Sequence, residues 1–161
     1  MRFSFGQKPL VKHLLEPAAD AAGRTSAAYV NLENAVAASI VCHIDQGNAA
    51  TILLTPVQST LVDGTGTKVL TNVVRIYSNA DCATTANPTA STAAKNFTTS
   101  AAVKIKTVEF QIDPNEALDA AGGFKCIGLT TGASDVANIT SAVLLVWPKH
   151  AGDAPPSMIA D

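Results

Sequence analysis

The chain has 161 residues, enough for one domain with a sizeable hydrophobic core. Only 15% of its residues are charged, 5% are aromatic, and the net charge is −2. This composition excludes a basic surface or an aromatic stacking platform for nucleic acid, and no apolar run approaches the roughly 20 residues that span a bilayer. We therefore expect neither nucleic acid nor a membrane as a partner.

The surface must carry many alanine, serine and threonine side chains, because the charged fraction is well below the roughly 25% of an average soluble domain. Monomeric proteins rarely expose large apolar patches. The composition therefore favours a protein whose surface is largely covered by partners, although a secreted or robust β protein has a similar composition.

Residues 1–28 form a basic segment on an acidic chain. The segment contains four cations and two carboxylates: Arg2, Lys8, Lys12, Arg24, Glu16 and Asp20. One interpretation is a frayed terminus. The other is an extended arm that becomes ordered only against a neighbouring subunit, as expected of a segment too poor in apolar residues to fold alone. The apolar anchors of such an arm are Phe3, Phe5, Leu10, Leu14 and Leu15.

Alternating apolar and polar residues predict strands after the arm. Residues 29–32 begin the series, and residues 39–45 place Ile40, Cys42 and Ile44 on one face.

A turn and a second apolar run follow. The turn residues at 46–48 and the run at 50–55 predict a β-hairpin with the preceding strand, and Pro56 indicates an edge or a bend. Residues 68–77 predict a further strand.

Residues 81–102 are predicted to be a long loop, because Ala, Thr and Ser make up 15 of these 22 residues. Loops of this length are uncommon in compact domains. The segment is therefore either a surface excursion or a contact with another subunit, with Phe97 as its single large anchor.

The most strongly patterned block runs from residue 107 to 147. Val108, Phe110 and Ile112 alternate with polar residues, which predicts a strand with one buried face.

The rest of this block predicts one helical turn and two more strands. Asp113 is a suitable N-cap and Pro114 suits the first turn of a helix. Strands are predicted at 124–129 and 142–147, the second apolar on both faces, and the proline-containing tail at 149–161 is predicted to be extended.

About seven or eight short strands with little helix predict an all-β fold, a β-sandwich or jelly roll rather than a meander barrel. The predicted organisation is an N-terminal arm at 1–28, a β-sandwich domain at 29–148 and a C-terminal tail at 149–161.

Catalytic and metal-binding motifs are absent from the sequence. The chain has no Gly-x-Ser-x-Gly or HExxH motif, its three histidines are scattered, and its three cysteines form no CxxC pair. Asp113, Glu116 and Asp119 have a spacing at which carboxylates can bind Ca²⁺, but a capped turn is the favoured interpretation. We therefore expect no enzymatic activity, cofactor or metal.

Three segments resemble small virion proteins of tailed bacteriophages: 44–49 (IDQGNA), 108–119 (VEFQIDPNEALD) and 122–129 (GGFKCIGL), followed by the apolar strand and the tail. The likeness covers residues from about 29 to 148. It implies a β-rich, oligomeric particle component that is made in the host cytoplasm and lies on the capsid surface of the virion. The implied partners are the major capsid protein and copies of the chain itself, which would form a homo-oligomer such as a trimer.

The resemblance favours a capsid decoration (cement) protein that ties neighbouring capsid subunits together. The alternatives are a head–tail connector or tail structural protein, and a carbohydrate-binding β-sandwich for host attachment. A carbohydrate site usually presents aromatic platforms, whereas this chain has one tryptophan, Trp147, within an apolar strand, and two tyrosines. A metal-dependent jelly-roll enzyme is a further class, against which the wide spacing of the histidines argues.

Overall fold

A computed structural model describes residues 9–149 and 158–159. Two antiparallel sheets contain the strands. Sheet A has the spatial order β1 (Leu10–Ala19), β12 (Asn138–Pro148), β4 (Ala35–Gln46), β10 (Ile105–Ile112), β7 (Val74–Asn79) and β8 (Thr89–Ala94). Sheet B has the order β2 (Arg24–Thr25), β11 (Cys126–Thr131), β5 (Leu53–Ser59) and β6 (Lys68–Val69), with β3 (Val30–Asn31) paired to β11 and β9 (Phe97–Thr98) paired to β5.

The strand pairs are nested along the chain. β5 pairs with β6, β4 with β10, β2 and β3 with β11, and β1 with β12. Such nesting corresponds to one long antiparallel ribbon rolled into two layers, which is the strand order of a jelly roll. β7 and β8 form an inserted hairpin that extends sheet A beyond β10. The predicted all-β fold is confirmed.

One core lies between the two sheets, and the alternation of the sequence explains it. In β4, the predicted inward residues Ile40, Cys42 and Ile44 are fully buried. From sheet B, Leu54 and Leu129 pack into the same cluster. The period-two pattern therefore identified the buried face of this central strand correctly.

The predicted helical turn is also confirmed. It is α1 (Pro114–Ala117), followed by a 3₁₀ turn at Ala120–Gly122. The side chain of Asp113 accepts a hydrogen bond from the backbone N–H of Asn115 at 2.9 Å, which satisfies one of the unpaired donors at the helix start.

The structure corrects the predicted boundary between arm and sandwich. Residues of β1 and β2, which lie within 1–28, pair with β12 and β11 inside the domain. Leu14 and Leu15 of β1 are buried in the core, and β12 supplies its backbone hydrogen bonds, so this segment folds as part of the domain. Residues 1–8, including Phe3 and Phe5, lie outside the described residues.

Most of the predicted tail, residues 149–161, also lies outside the described residues. Met158 is buried in the core cluster, and its carbonyl oxygen accepts a hydrogen bond from the N–H of Asn31 at 2.7 Å. This part of the tail therefore contributes to the sandwich.

The predicted hairpin after β4 is wrong, because β4 belongs to sheet A and β5 to sheet B. The turn after β4 is held by Asn138, whose Oδ1 accepts a hydrogen bond from the N–H of Asn48 at 2.8 Å. The chain then crosses to the other sheet. Pro56 lies on β5 between the residues that pair with β9 and those that pair with β6, where its missing N–H costs no ladder bond on that side.

Two other segments differ from their predictions, because pairing with distant strands decides their structure. The single strand expected at 68–77 is split into β6 in sheet B and β7 in sheet A, with the buried Leu70 at the crossing. The loop expected at 81–102 contains β8 and β9. β8 contains only Thr, Ala and Ser and has little apolar pattern, so its pairing with β7 determines its conformation. The two residues of β9 are too few to show a pattern and are ordered by pairing with β5.

Candidate interaction surface on sheet A

The outward face of sheet A carries apolar residues where a solvated antiparallel sheet normally carries polar ones. Val11 on β1 pairs directly with Leu145 on β12, and Val143 on β12 pairs with Val41 on β4. Val11 is 63% exposed, and the other three are partly exposed. We call these four residues the apolar patch.

A groove adjoins the apolar patch on the same face. Leu145 pairs with Ser39, Ser39 pairs with Gln111, and Gln111 pairs with Arg75, so the polar residues form a row across β4, β10 and β7. The groove has a volume of about 770 Å³. Asp113 at the start of α1 and Trp147 on β12 also line it.

Hydrogen bonds fix one carboxylate in this groove. The hydroxyl of Ser39 donates to Glu109 Oε1 at 2.8 Å, and Gln111 Nε2 approaches the same oxygen at 3.4 Å. Ser39 is buried although it lies on the outward face of the sheet. Glu109 is therefore held as an oriented acceptor rather than as a freely rotating surface charge.

Trp147 reaches the groove because of its strand register. Leu144 and Val146 point into the core, so Leu145 and Trp147 point outward. The sequence prediction that this strand is apolar on both faces is correct. Sequence reasoning nevertheless missed the position of Trp147 beside polar residues, although the alternation within the strand would have placed it on the outer face.

Four of the six residues predicted from the sequence as intersubunit anchors pack within the fold, and the other two, Phe3 and Phe5, lie outside the described residues. Leu14 and Leu15 are only 5% and 4% exposed and belong to the core cluster. Leu10 and Phe97 are partly buried and pack against that cluster. Because Leu14 and Leu15 fill the protein's own core, they cannot anchor it to a neighbouring subunit in this fold.

The acidic cluster near α1 is used within the turn. Asp119 accepts hydrogen bonds from Lys68 Nζ at 2.6 Å and from the N–H of Gly122 at 3.0 Å. The hydrogen bond from Lys68 and then that from Gly122 lower the pKa of the Asp119 carboxyl. Lys68 Nζ also lies 3.8 Å from the centre of the Phe124 ring. These contacts agree with the capped-turn interpretation.

Among the described residues, no group of three or more His, Cys, Asp or Glu side chains is arranged to hold a metal ion. His13 and His43 are exposed on separate strands of sheet A, and His150 lies outside the described residues. Within the same part of the chain, no helix is long and apolar enough to cross a membrane.

The comparison with known proteins finds no relative of this chain. No protein-family model matches the chain, and no match is found among curated proteins or solved structures.

Proposed function

We propose that the chain is a structural protein of a phage virion, and specifically a capsid decoration protein that binds neighbouring capsid subunits. The observation that carries this proposal is the apolar patch, Val11, Val41, Val143 and Leu145, on the outward face of sheet A. A contiguous apolar surface of this kind favours a protein partner. The low charge of the chain and the resemblance of three of its segments to small virion proteins support the same role.

In this role the protein acts mechanically, without an enzymatic step or a cofactor. Its partners are the major capsid protein and copies of itself, and it is located on the capsid surface after synthesis in the host cytoplasm. Each contact is small, but contacts repeated by the symmetry of the shell add through avidity. In a shell that is held together in this way, several contacts must break at once before the shell ruptures.

The test is the thermal stability of shells with and without the protein. We expect purified shells to rupture at a higher temperature after the protein is added back. An unchanged rupture temperature, together with no protein sedimenting with the shells, would contradict the proposal.

The arm hypothesis needs a more exact truncation than removal of residues 1–28. Deletion of 1–28 also removes β1 and β2, and with them Leu14 and Leu15 of the core. Deletion of residues 1–8 retains every described strand and core residue. If this shorter deletion leaves shell binding and shell stability unchanged, the arm does not contribute to either.

Two alternatives remain for comparison. A head–tail connector or tail structural protein has the same composition and fold but a much lower copy number in the particle. A carbohydrate-binding β-sandwich is favoured by a different observation, the groove that contains Trp147.

A further inference from the structure

We propose that the groove on sheet A is a binding site for a neutral oligosaccharide. This inference goes beyond the proposed role in the shell and does not depend on it, because the groove is formed within one chain. It rests on three features: the mixture of hydrogen-bond donors and acceptors in the lining, the single aromatic ring, and the size of the open groove.

The lining offers donors and acceptors side by side. Arg75 supplies donors only, Glu109 supplies acceptors only, and Gln111 supplies both. A sugar hydroxyl both donates and accepts, so it can use neighbouring groups of both kinds. Because Ser39 holds Glu109 in place at 2.8 Å, the acceptor is oriented before a ligand arrives.

Trp147 provides the apolar component of the site. Its ring is partly exposed and lines the groove beside Ala37. The flat face of an indole ring can cover the apolar C–H face of a sugar while the hydroxyl groups at the sugar's edge reach the polar residues. The volume of about 770 Å³ lies within the range of roughly 300–1,000 Å³ that is typical of ligand sites.

A basic chain segment is the main competing ligand. The carboxylates of Glu109, Asp113 and Glu116 line the groove and would attract cations, but Arg75 lies in the same row as Ser39 and Gln111 on its floor. The Arg75 guanidinium repels a lysine or arginine side chain that enters there. A neutral polyhydroxylated ligand meets no such repulsion.

The experiment uses the full chain, purified without particles. We would screen it on an array of neutral oligosaccharides, measure a lysine-rich peptide beside them, and titrate the best binder while following tryptophan fluorescence. Trp147 is the only tryptophan in the chain, so its emission reports directly on the groove. We expect saturable binding that shifts the emission and protects the ring from acrylamide quenching.

Variants locate the site. Trp147→Leu should weaken binding by about tenfold, measured by calorimetry because the fluorophore is lost. Glu109→Gln should weaken it as well, because one acceptor position becomes a donor. His43→Gln is the matched control, since His43 is exposed on the same face of sheet A but does not line the groove. Thermal unfolding of each variant checks that it is folded.

Three outcomes would overturn the inference: no binding on the array, binding that Trp147→Leu and Glu109→Gln leave unchanged, or binding of a lysine-rich peptide in place of the oligosaccharides. Because no shell is present in this experiment, its failure leaves the decoration role untouched. Conversely, the loss of shell binding would leave the oligosaccharide result unchanged.

Discussion

Lys106 and Gln46 form a hydrogen bond in the interior of the sandwich, with 2.7 Å between Lys106 Nζ and Gln46 Oε1. Lys106 is 2% exposed, and its ammonium also donates to the carbonyl oxygen of Ser100 at 2.6 Å. Gln46 Nε2 donates to the same carbonyl at 2.9 Å. These bonds tie the end of β4 to the segment that follows β9, so a buried polar network closes this end of the core.

The network predicts a pH dependence of stability. Burial lowers the pKa of Lys106 from its ordinary value of 10.5. Between the lowered pKa and 10.5 the unfolded chain binds more protons than the folded one, so the unfolding free energy rises with pH. Compared with Lys106→Met, the wild type should gain stability across this window. The gain is about 1.4 kcal/mol for each pH unit by which the pKa is lowered.

Denaturant unfolding of both proteins from pH 7 to pH 10.5 measures this difference. The variant is the control for every other group that titrates in the same range. A constant difference between the two proteins would show that the ammonium of Lys106 is not desolvated.

Gly128 and Tyr29 make a second testable contact. A Cβ atom at Gly128 would lie 2.5 Å from Cε1 of the Tyr29 ring. Gly128→Ala should therefore destabilise the protein by about 1–3 kcal/mol through overpacking. Tyr29→Leu replaces the ring with a smaller side chain, so the double variant should be more stable than the sum of the single effects predicts. Strictly additive unfolding free energies would contradict this contact.

The sequence predicted those parts of the fold whose residues alternate strongly. β10 and the centre of β4 follow from Val108, Phe110, Ile40 and Ile44 and were placed correctly. β8 could not be predicted, because Thr89–Ala94 contains only Thr, Ala and Ser and is ordered by pairing with β7. A local sequence pattern indicates which residues are buried, whereas pairing with distant strands determines the conformation of weakly patterned segments such as β8.

The interaction surface was less predictable than the core for the same reason. Val11 lies on a strand that the sequence assigned to a separate arm, and only the pairing with Leu145 brings it onto sheet A. Likewise, Ser39, Gln111 and Arg75 come from three separate segments and meet only through strand register.

The cysteines predict a labelling pattern. Cys42 and Cys126 are fully buried, whereas Cys82 is partly exposed. Burial and then the nearby charge of Asp20 raise the pKa of the Cys42 thiol, which disfavours the reactive thiolate. A thiol reagent at neutral pH should label Cys82 readily and the other two only after unfolding. Mass spectrometry of labelled peptides measures the pattern, and fast native labelling of Cys42 would contradict the described core.

The apolar patch predicts that a charge placed in it reduces binding to shells without unfolding the protein. Val11→Lys places a charge in the patch and should abolish or strongly reduce binding to shells, because burying an unpaired charge at an interface is costly. Val136→Lys is the matched control. Val136 is 70% exposed and lies in the loop between β11 and β12, which contains none of the patch residues. Both variants should retain stability to within about 0.5 kcal/mol.

Co-sedimentation with shells measures this binding, and thermal unfolding confirms that the variants are folded. Equal binding by the two variants would show that the apolar patch does not contact the shell.

The number of copies of the protein in purified virions tests the decoration role most directly. Quantitative mass spectrometry should give this number relative to the major capsid protein. A decoration protein follows the symmetry of the shell, so we expect on the order of hundreds of copies in each particle. A dozen copies or fewer would indicate a connector or tail protein, and the absence of the protein from virions would contradict a structural role altogether.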